Sequence, residues 1–175
     1  MKTAKVVVLP YRDEWALAFD KIKAEIAQTL GELALAIEHV GSTSVVGMWA
    51  KPCIDLDVVI EDESVLDEVV KRLASIGYLH EGDLGIKGRE AFKYTDKPHL
   101  MTHHLYVCPQ SSKELARHIT FRDYLRSNEK AVMVYSAIKR EAARLFPNDI
   151  DGYCHHKSAC IASLYEACGL IQNEL

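Results

Sequence analysis

The chain has 175 residues, with 21 Lys and Arg against 25 Asp and Glu, which gives a net charge of −4. With 49% hydrophobic and 26% charged residues it has the balance of one ordinary globular domain, which excludes disorder as its main theme and gives nucleic acid no bulk electrostatic draw. No apolar run approaches the roughly 20 residues of a membrane span and the stretch before Pro10 is too short for a secretory signal, so a cytoplasmic chain with free thiols is expected.

Residues 5–9 read as a short strand or extended arm closed by Pro10. Asp13 is placed to cap a helix over 14–30, where Trp15, Phe19, Ile22, Ile26 and Leu30 recur on one face until Gly31 stops it. A strand over 34–40 is broken by Gly41-Ser42-Thr43-Ser44, with a short helical turn expected over 44–50. Ile54–Ile60 is β-rich and bounded by Pro52 and an acidic turn, so it reads as a strand. The next helix points Val65, Val69, Leu73 and Ile76 inward and closes at Gly77. Gly82, Gly85 and Gly88 mark the stretch after Tyr78 as loop, and 90–94 with 101–108 form a hairpin. Ser111 and Glu114 match a capping box for a helix carrying Leu115, Ile119, Arg122 and Leu125, and two more helices fit 129–146 and 153–168. Without repeats or linkers, the expectation for 1–175 is a single α/β domain of α+β type. It has one mixed sheet with helices packed on it, a core over about 5–108 and C-terminal helices over about 111–170.

The chemistry concentrates at two places. Strand alternation puts Asp55 and Asp57 on one face, roughly 6 to 7 Å apart at Cα, while Ile54, Leu56, Val58 and Ile60 line the other. Two carboxylates that close repel unless a cation lies between them, and hard oxygen ligands suit Mg²⁺ or Mn²⁺. Upstream, Gly41 lets the backbone approach closely, and Ser42 and Thr43 offer hydroxyls and free N–H groups to a phosphate. Either motif alone has a plain alternative, a solvated strand face or a common turn.

In this order and spacing the two motifs resemble the signature of the nucleotidyltransferase-like superfamily, the DNA polymerase beta-like fold. Glu38-His39-Val40-Gly41-Ser42-Thr43-Ser44-Val45, Ala50-Lys51-Pro52-Cys53-Ile54-Asp55-Leu56-Asp57, Thr102-His103-His104-Leu105-Tyr106-Val107 and Phe121-Arg122-Asp123-Tyr124-Leu125-Arg126, with Tyr153 and Lys157, are similar to successive blocks of the GrpB family. The resemblance implies a nucleotidyltransferase-like fold. It also implies a metal-dependent transfer of a nucleotidyl group from a nucleoside triphosphate to an unknown acceptor, long nucleic acid being disfavoured by the acidic charge. Asp55 and Asp57 would then hold Mg²⁺ or Mn²⁺, Gly41, Ser42 and Thr43 would grip terminal phosphates, and Lys51, Arg89, Arg122 and Lys157 would neutralise the rest. Lys139 is the weakest of the basic candidates.

One departure stands out. The superfamily's third carboxylate is missing, and the strand over 101–108 turns His104 and Tyr106 toward the Asp pair instead. His104, if neutral, serves as metal ligand or proton acceptor, or else is a histidine bonded to backbone. Glu90 could substitute for the acid or be an exposed edge carboxylate. His39 either orients the Gly-Ser turn or is a core histidine. Arg122 lies in the apolar rhythm of its helix and needs a partner, whether Asp123, the Asp pair or a phosphate. The rival reading is a fold that has lost turnover and binds a nucleotide or protein partner. Zinc clusters at Cys154-His155-His156-Cys160 or at His99, His103, His104 and Cys108 do not fit paired zinc spacing, and Cys53, beside acidic residues, is expected to be inert.

Overall fold

The computed structural model describes residues 5–170. α1 (Glu14–Leu30) buries Trp15, Phe19, Ile22, Ile26 and Leu30, the whole apolar face set out by their spacing. Asp13 sits at its N-cap position with helical backbone angles and makes no side-chain capping bond. Gly31 ends the helix with φ at 56°.

β1 (Ala36–Val40), β2 (Ile54–Ile60), β3 (Leu79–Gly82), β4 (Glu90–Lys93) and β5 (His103–Pro109) make one sheet in the order β1-β2-β5-β4-β3. Only β2 and β5 run parallel, so the sheet is mixed. The fold is thus α+β, with α2 (Leu66–Ser75) following β2 and three helices closing the chain: α3 (Lys113–Arg126), α4 (Glu129–Leu145) and α5 (Ile150–Ala167).

Several boundaries differ from the expectation. The helical turn lies at Ser42–Ser44 rather than further on. β3 occupies part of the glycine-rich stretch read as loop, with a register shift between His80 and Gly82. Ser112, not Ser111, caps α3 by accepting from Leu115 N, and α5 begins three residues early because Asp149 accepts from Gly152 N. The arm at the start is extended and joins the body through a Leu9–Ala50 bridge.

Each sheet face meets a different layer. Ile54, Leu56, Val58 and Ile60 pack with Leu105, Val107 and the apolar faces of α1 and α2. On the opposite face, Val59 and Cys108 meet Leu115 of α3, and α3 to α5 pack on one another around Leu125, Tyr135 and Leu164. Asp55, Asp57, His104 and Tyr106 share that second face, and the C-terminal helices stand over them. Among the described residues no helix is long and apolar enough to cross a membrane.

Candidate functional site

The Gly-Ser turn and the Asp strand meet because Gly41 allows it. Its backbone holds φ 72° and ψ −177°, a conformation essentially restricted to glycine, and a Cβ there would collide with Asp55 Oδ2. The turn therefore lies directly against the carboxylate. A cavity of about 320 Å³ opens at this junction. Gly41, Ser42, Thr43, Lys51, Asp55, Arg89, His104, Tyr106, Arg122 and Lys157 line it, so most of the candidates converge.

Asp55 and Asp57 have unequal surroundings. Asp55 faces the cavity and accepts from His104 Nδ1 at 2.8 Å. Asp57 is completely buried; its Oδ2 meets His118 Nδ1 at 2.6 Å and its Oδ1 has no hydrogen-bond partner among the described residues. His118 also reaches Glu114 at 3.3 Å. Burial opposes charge on the His118 ring, but hydrogen bonds to Asp57 and Glu114 outweigh it and raise its pKa to about 9.

The position of the missing acid is filled as alternation predicted: His104 lies beside Asp55 and Tyr106 beside Asp57 in register. The surroundings of His104 favour the protonated ring over the neutral one considered from the sequence. Its hydrogen bond to Asp55, with Cys53 beside it, raises its pKa to about 10, so the ring is a cation paired to the carboxylate. Glu90 is no substitute acid, because it pairs with Val107, on the other face from Tyr106, and its Oε2 meets His80 Nε2 at 2.6 Å.

Basic residues dominate the rest of the wall. Lys51, Arg89, Arg122, Lys139 and Lys157 line the cavity, and Asp55 is the only carboxylate among the lining residues. Lys139 was the weakest candidate by sequence, yet it is almost fully buried, 2.5 Å from Ser42 Oγ and 2.9 Å from Trp49 O, with Nζ 3.9 Å from the Tyr135 ring centre. Burial, with Lys157 nearby, pushes its pKa well below 10.5. Lys51 and Lys157 both stand over the Tyr153 ring. Arg89 stacks on Tyr106 at 4.2 Å, and its buried Nε has no partner among the described residues.

Two candidates work from the side. Arg122 meets Glu38 at 2.7 Å and Asp123 at 2.9 Å, so its main partner is a residue that sequence reasoning passed over. His39 points into the α1 layer, where its ring stacks on Phe19 at 4.5 Å and its Nε2 lies 3.0 Å from Thr43 Oγ1. Burial lowers its pKa to about 4, which leaves it neutral. It supports the turn from behind and leaves the Thr43 hydroxyl engaged there.

Lys139 was ranked too low and His118 was missed, although a signal existed for both. Lys139 interrupts the buried stripe Ala131, Tyr135, Ala142, and His118 lies one turn from both Glu114 and Arg122. A polar residue in an apolar stripe needs a partner, the argument already made for Arg122. Among the described residues, neither of the two zinc clusters considered from the sequence forms a metal-ligating group.

A family model described as GrpB protein matches residues 5–167. The UPF0157 protein YqkA of Bacillus subtilis is 32% identical over 162 residues, and the match covers 93% of this chain but 47% of that protein, so this chain spans about half of its length. The crystal structure of conserved protein GrpB from Enterococcus faecalis is similar with a TM-score of 0.81 at 32% identity, covering 93% of this chain and 96% of that one. The Cid1 poly(U) polymerase with Mg 3′-dATP bound is similar with a TM-score of 0.53 at 13% identity, over 77% of this chain and 43% of that one, a likeness of fold.

Proposed function

This chain belongs to the GrpB family, and from that premise we propose that it is a metal-dependent nucleotidyltransferase acting on a nucleoside triphosphate and an acceptor. One observation carries the reading: a Gly-Ser turn, a cavity-facing aspartate and five basic side chains surround one space. That charge balance suits a polyphosphate rather than a neutral ligand. The fold is also shared with a polymerase whose structure has Mg 3′-dATP bound.

The residues fit a hard divalent cation. The buried Asp57 Oδ1 has no partner among the described residues, which is costly unless a cation or donor reaches it, and Asp55 stands two residues away on the same face. Asp55 and Asp57 would hold Mg²⁺ or Mn²⁺, which supplies charge neutralisation on the phosphates when bound.

Ser42 and the N–H groups of its turn receive the terminal phosphates, with Lys139 already aimed at the same hydroxyl. Lys51, Lys157 and Arg89 neutralise further phosphate oxygens, and Phe121, Tyr135 and Tyr165 give the cavity an aromatic side for the nucleoside. The acceptor's nucleophile bonds to the α-phosphorus, the α–β phosphoanhydride bond breaks, pyrophosphate leaves, and the acceptor's proton passes to water. Positioning and charge neutralisation do most of the work in such a step.

The burial of Asp57 under His118 favours a second reading, nucleotide binding without turnover. Calorimetric titration of nucleoside triphosphates with and without Mg²⁺, in the native chain and in Asp55→Asn, separates the possibilities. Metal-dependent binding that weakens at least about tenfold, roughly 1.4 kcal/mol, in Asp55→Asn is expected. Binding indifferent to metal and to Asp55 supports the second reading, and no binding overturns both.

A further inference from the structure

We propose that Cys53, Asp55 and His104 form a second kind of metal site, one for a borderline divalent cation of the Zn²⁺ class. The inference goes beyond nucleotide transfer and does not depend on it. Each of the three side chains offers one ligand atom, and these atoms lie within 4.8 Å of one another. Cys53 Sγ is 3.8 Å from both His104 ring nitrogens, and His104 Nδ1 is 2.8 Å from Asp55 Oδ1.

The backbone fixes this grouping. Asp55 and His104 are register partners on the parallel strands β2 and β5, and Cys53 lies two residues before Asp55, where its N–H donates to Lys51 O. A tetrahedral ion about 2.0 to 2.3 Å from each ligand needs ligand atoms roughly 3.3 to 3.8 Å apart, so small rotations of Asp55 and His104 make room for it.

Donor chemistry then selects the ion. A thiolate and an imidazole with one carboxylate favour Zn²⁺ and its neighbours over Mg²⁺, which prefers oxygen ligands. All three residues line the open cavity, so a fourth coordination position faces solvent, as in sites that bind a further ligand rather than closed structural ones. On binding, the Cys53 thiol proton and the proton between Asp55 and His104 are released to water. Where Asp55 also serves the hard cation proposed above, the two ions would compete for it, an outcome that rests on that separate reading.

Co²⁺ serves as the probe, titrated into the full chain without nucleotide and followed by its thiolate charge-transfer absorption. One equivalent should give the band, Zn²⁺ should displace it, Cys53→Ser should abolish it, and His104→Ala should weaken binding at least about tenfold. The exposed Cys154 is the control, since Cys154→Ser should retain the band. A band that survives Cys53→Ser, or no band in the native chain, overturns the proposal. Thermal melts of both Cys53→Ser and His104→Ala establish that the variants are folded, and Mg²⁺-nucleotide titration remains a separate test of the transferase reading.

Discussion

Lys139 combines a burial cost with a place in the site. Its ammonium is taken from water beside Lys157, with Lys51 and Asp55 also acting on it, and its partners are a hydroxyl, a carbonyl and the Tyr135 ring. An arriving phosphate supplies the anion that this environment lacks, so binding should raise the lowered Lys139 pKa and favour its charged form. Calorimetry in buffers of different ionisation enthalpy, carried up through the alkaline range, should therefore report more proton uptake on binding by the native chain than by Lys139→Met. That variant should keep its stability within about 1 kcal/mol, because the lost hydrogen bonds are offset by removal of a buried ionisable group, while triphosphate affinity falls at least about tenfold. The pH dependence has a definite sign. The folded pKa is lowered, so the unfolded chain holds more protons up to 10.5, and native stability should rise relative to Lys139→Met as alkaline pH approaches that value. Denaturant melts across the alkaline range measure this difference.

α3 shows how one element joins the two halves of the fold. Its cap, Ser112, accepts from Leu115 N at 3.2 Å and donates to Gly88 O at 2.7 Å, so one hydroxyl starts the helix and anchors the residue before Arg89. Ser112→Ala should lower stability by about 1 to 2 kcal/mol, read as a shifted urea midpoint at unchanged slope. A residual shift below about 0.3 kcal/mol would show that neither bond contributes to folding. The same helix marks the limit of what its sequence conveyed. Its extent was legible, to within one residue at the cap, from the serine signal and Leu115, Ile119 and Leu125, but not its docking, in which His118 covers Asp57 and Arg122 meets Glu38. α1 and β2 were legible because their apolar periods are local and strong. β3 was not, because its four residues sit among turn-forming glycines and its first three are exposed. Within the site, the Gly-Ser turn and Asp55 follow from adjacent residues, whereas the Lys139–Ser42 contact joins positions 97 residues apart and depends on how α4 packs.

Charge is unevenly distributed over the whole molecule. The chain carries −4 in total, yet five Lys and Arg side chains face one carboxylate across the cavity. A compact anion small enough to enter is attracted by the local field, while a long polyanion that stays outside meets a surface that is negative on balance. Affinity should therefore fall from nucleoside triphosphate to diphosphate to monophosphate, and an oligonucleotide without a triphosphate should bind more weakly than any of the three. Raising ionic strength from about 0.05 M to 0.5 M shortens the screening length to well below the width of the site, so triphosphate binding should weaken by roughly tenfold. The buried contacts of Lys139 are screened less, and on the proposed reading monophosphate binding would rest more on the aromatic side chains and should change little. Calorimetric titrations of the three nucleotides at both salt concentrations measure the gradient. Equal affinities for all three would assign recognition to Phe121, Tyr135 and Tyr165 and leave the lysines as structural neighbours of the turn.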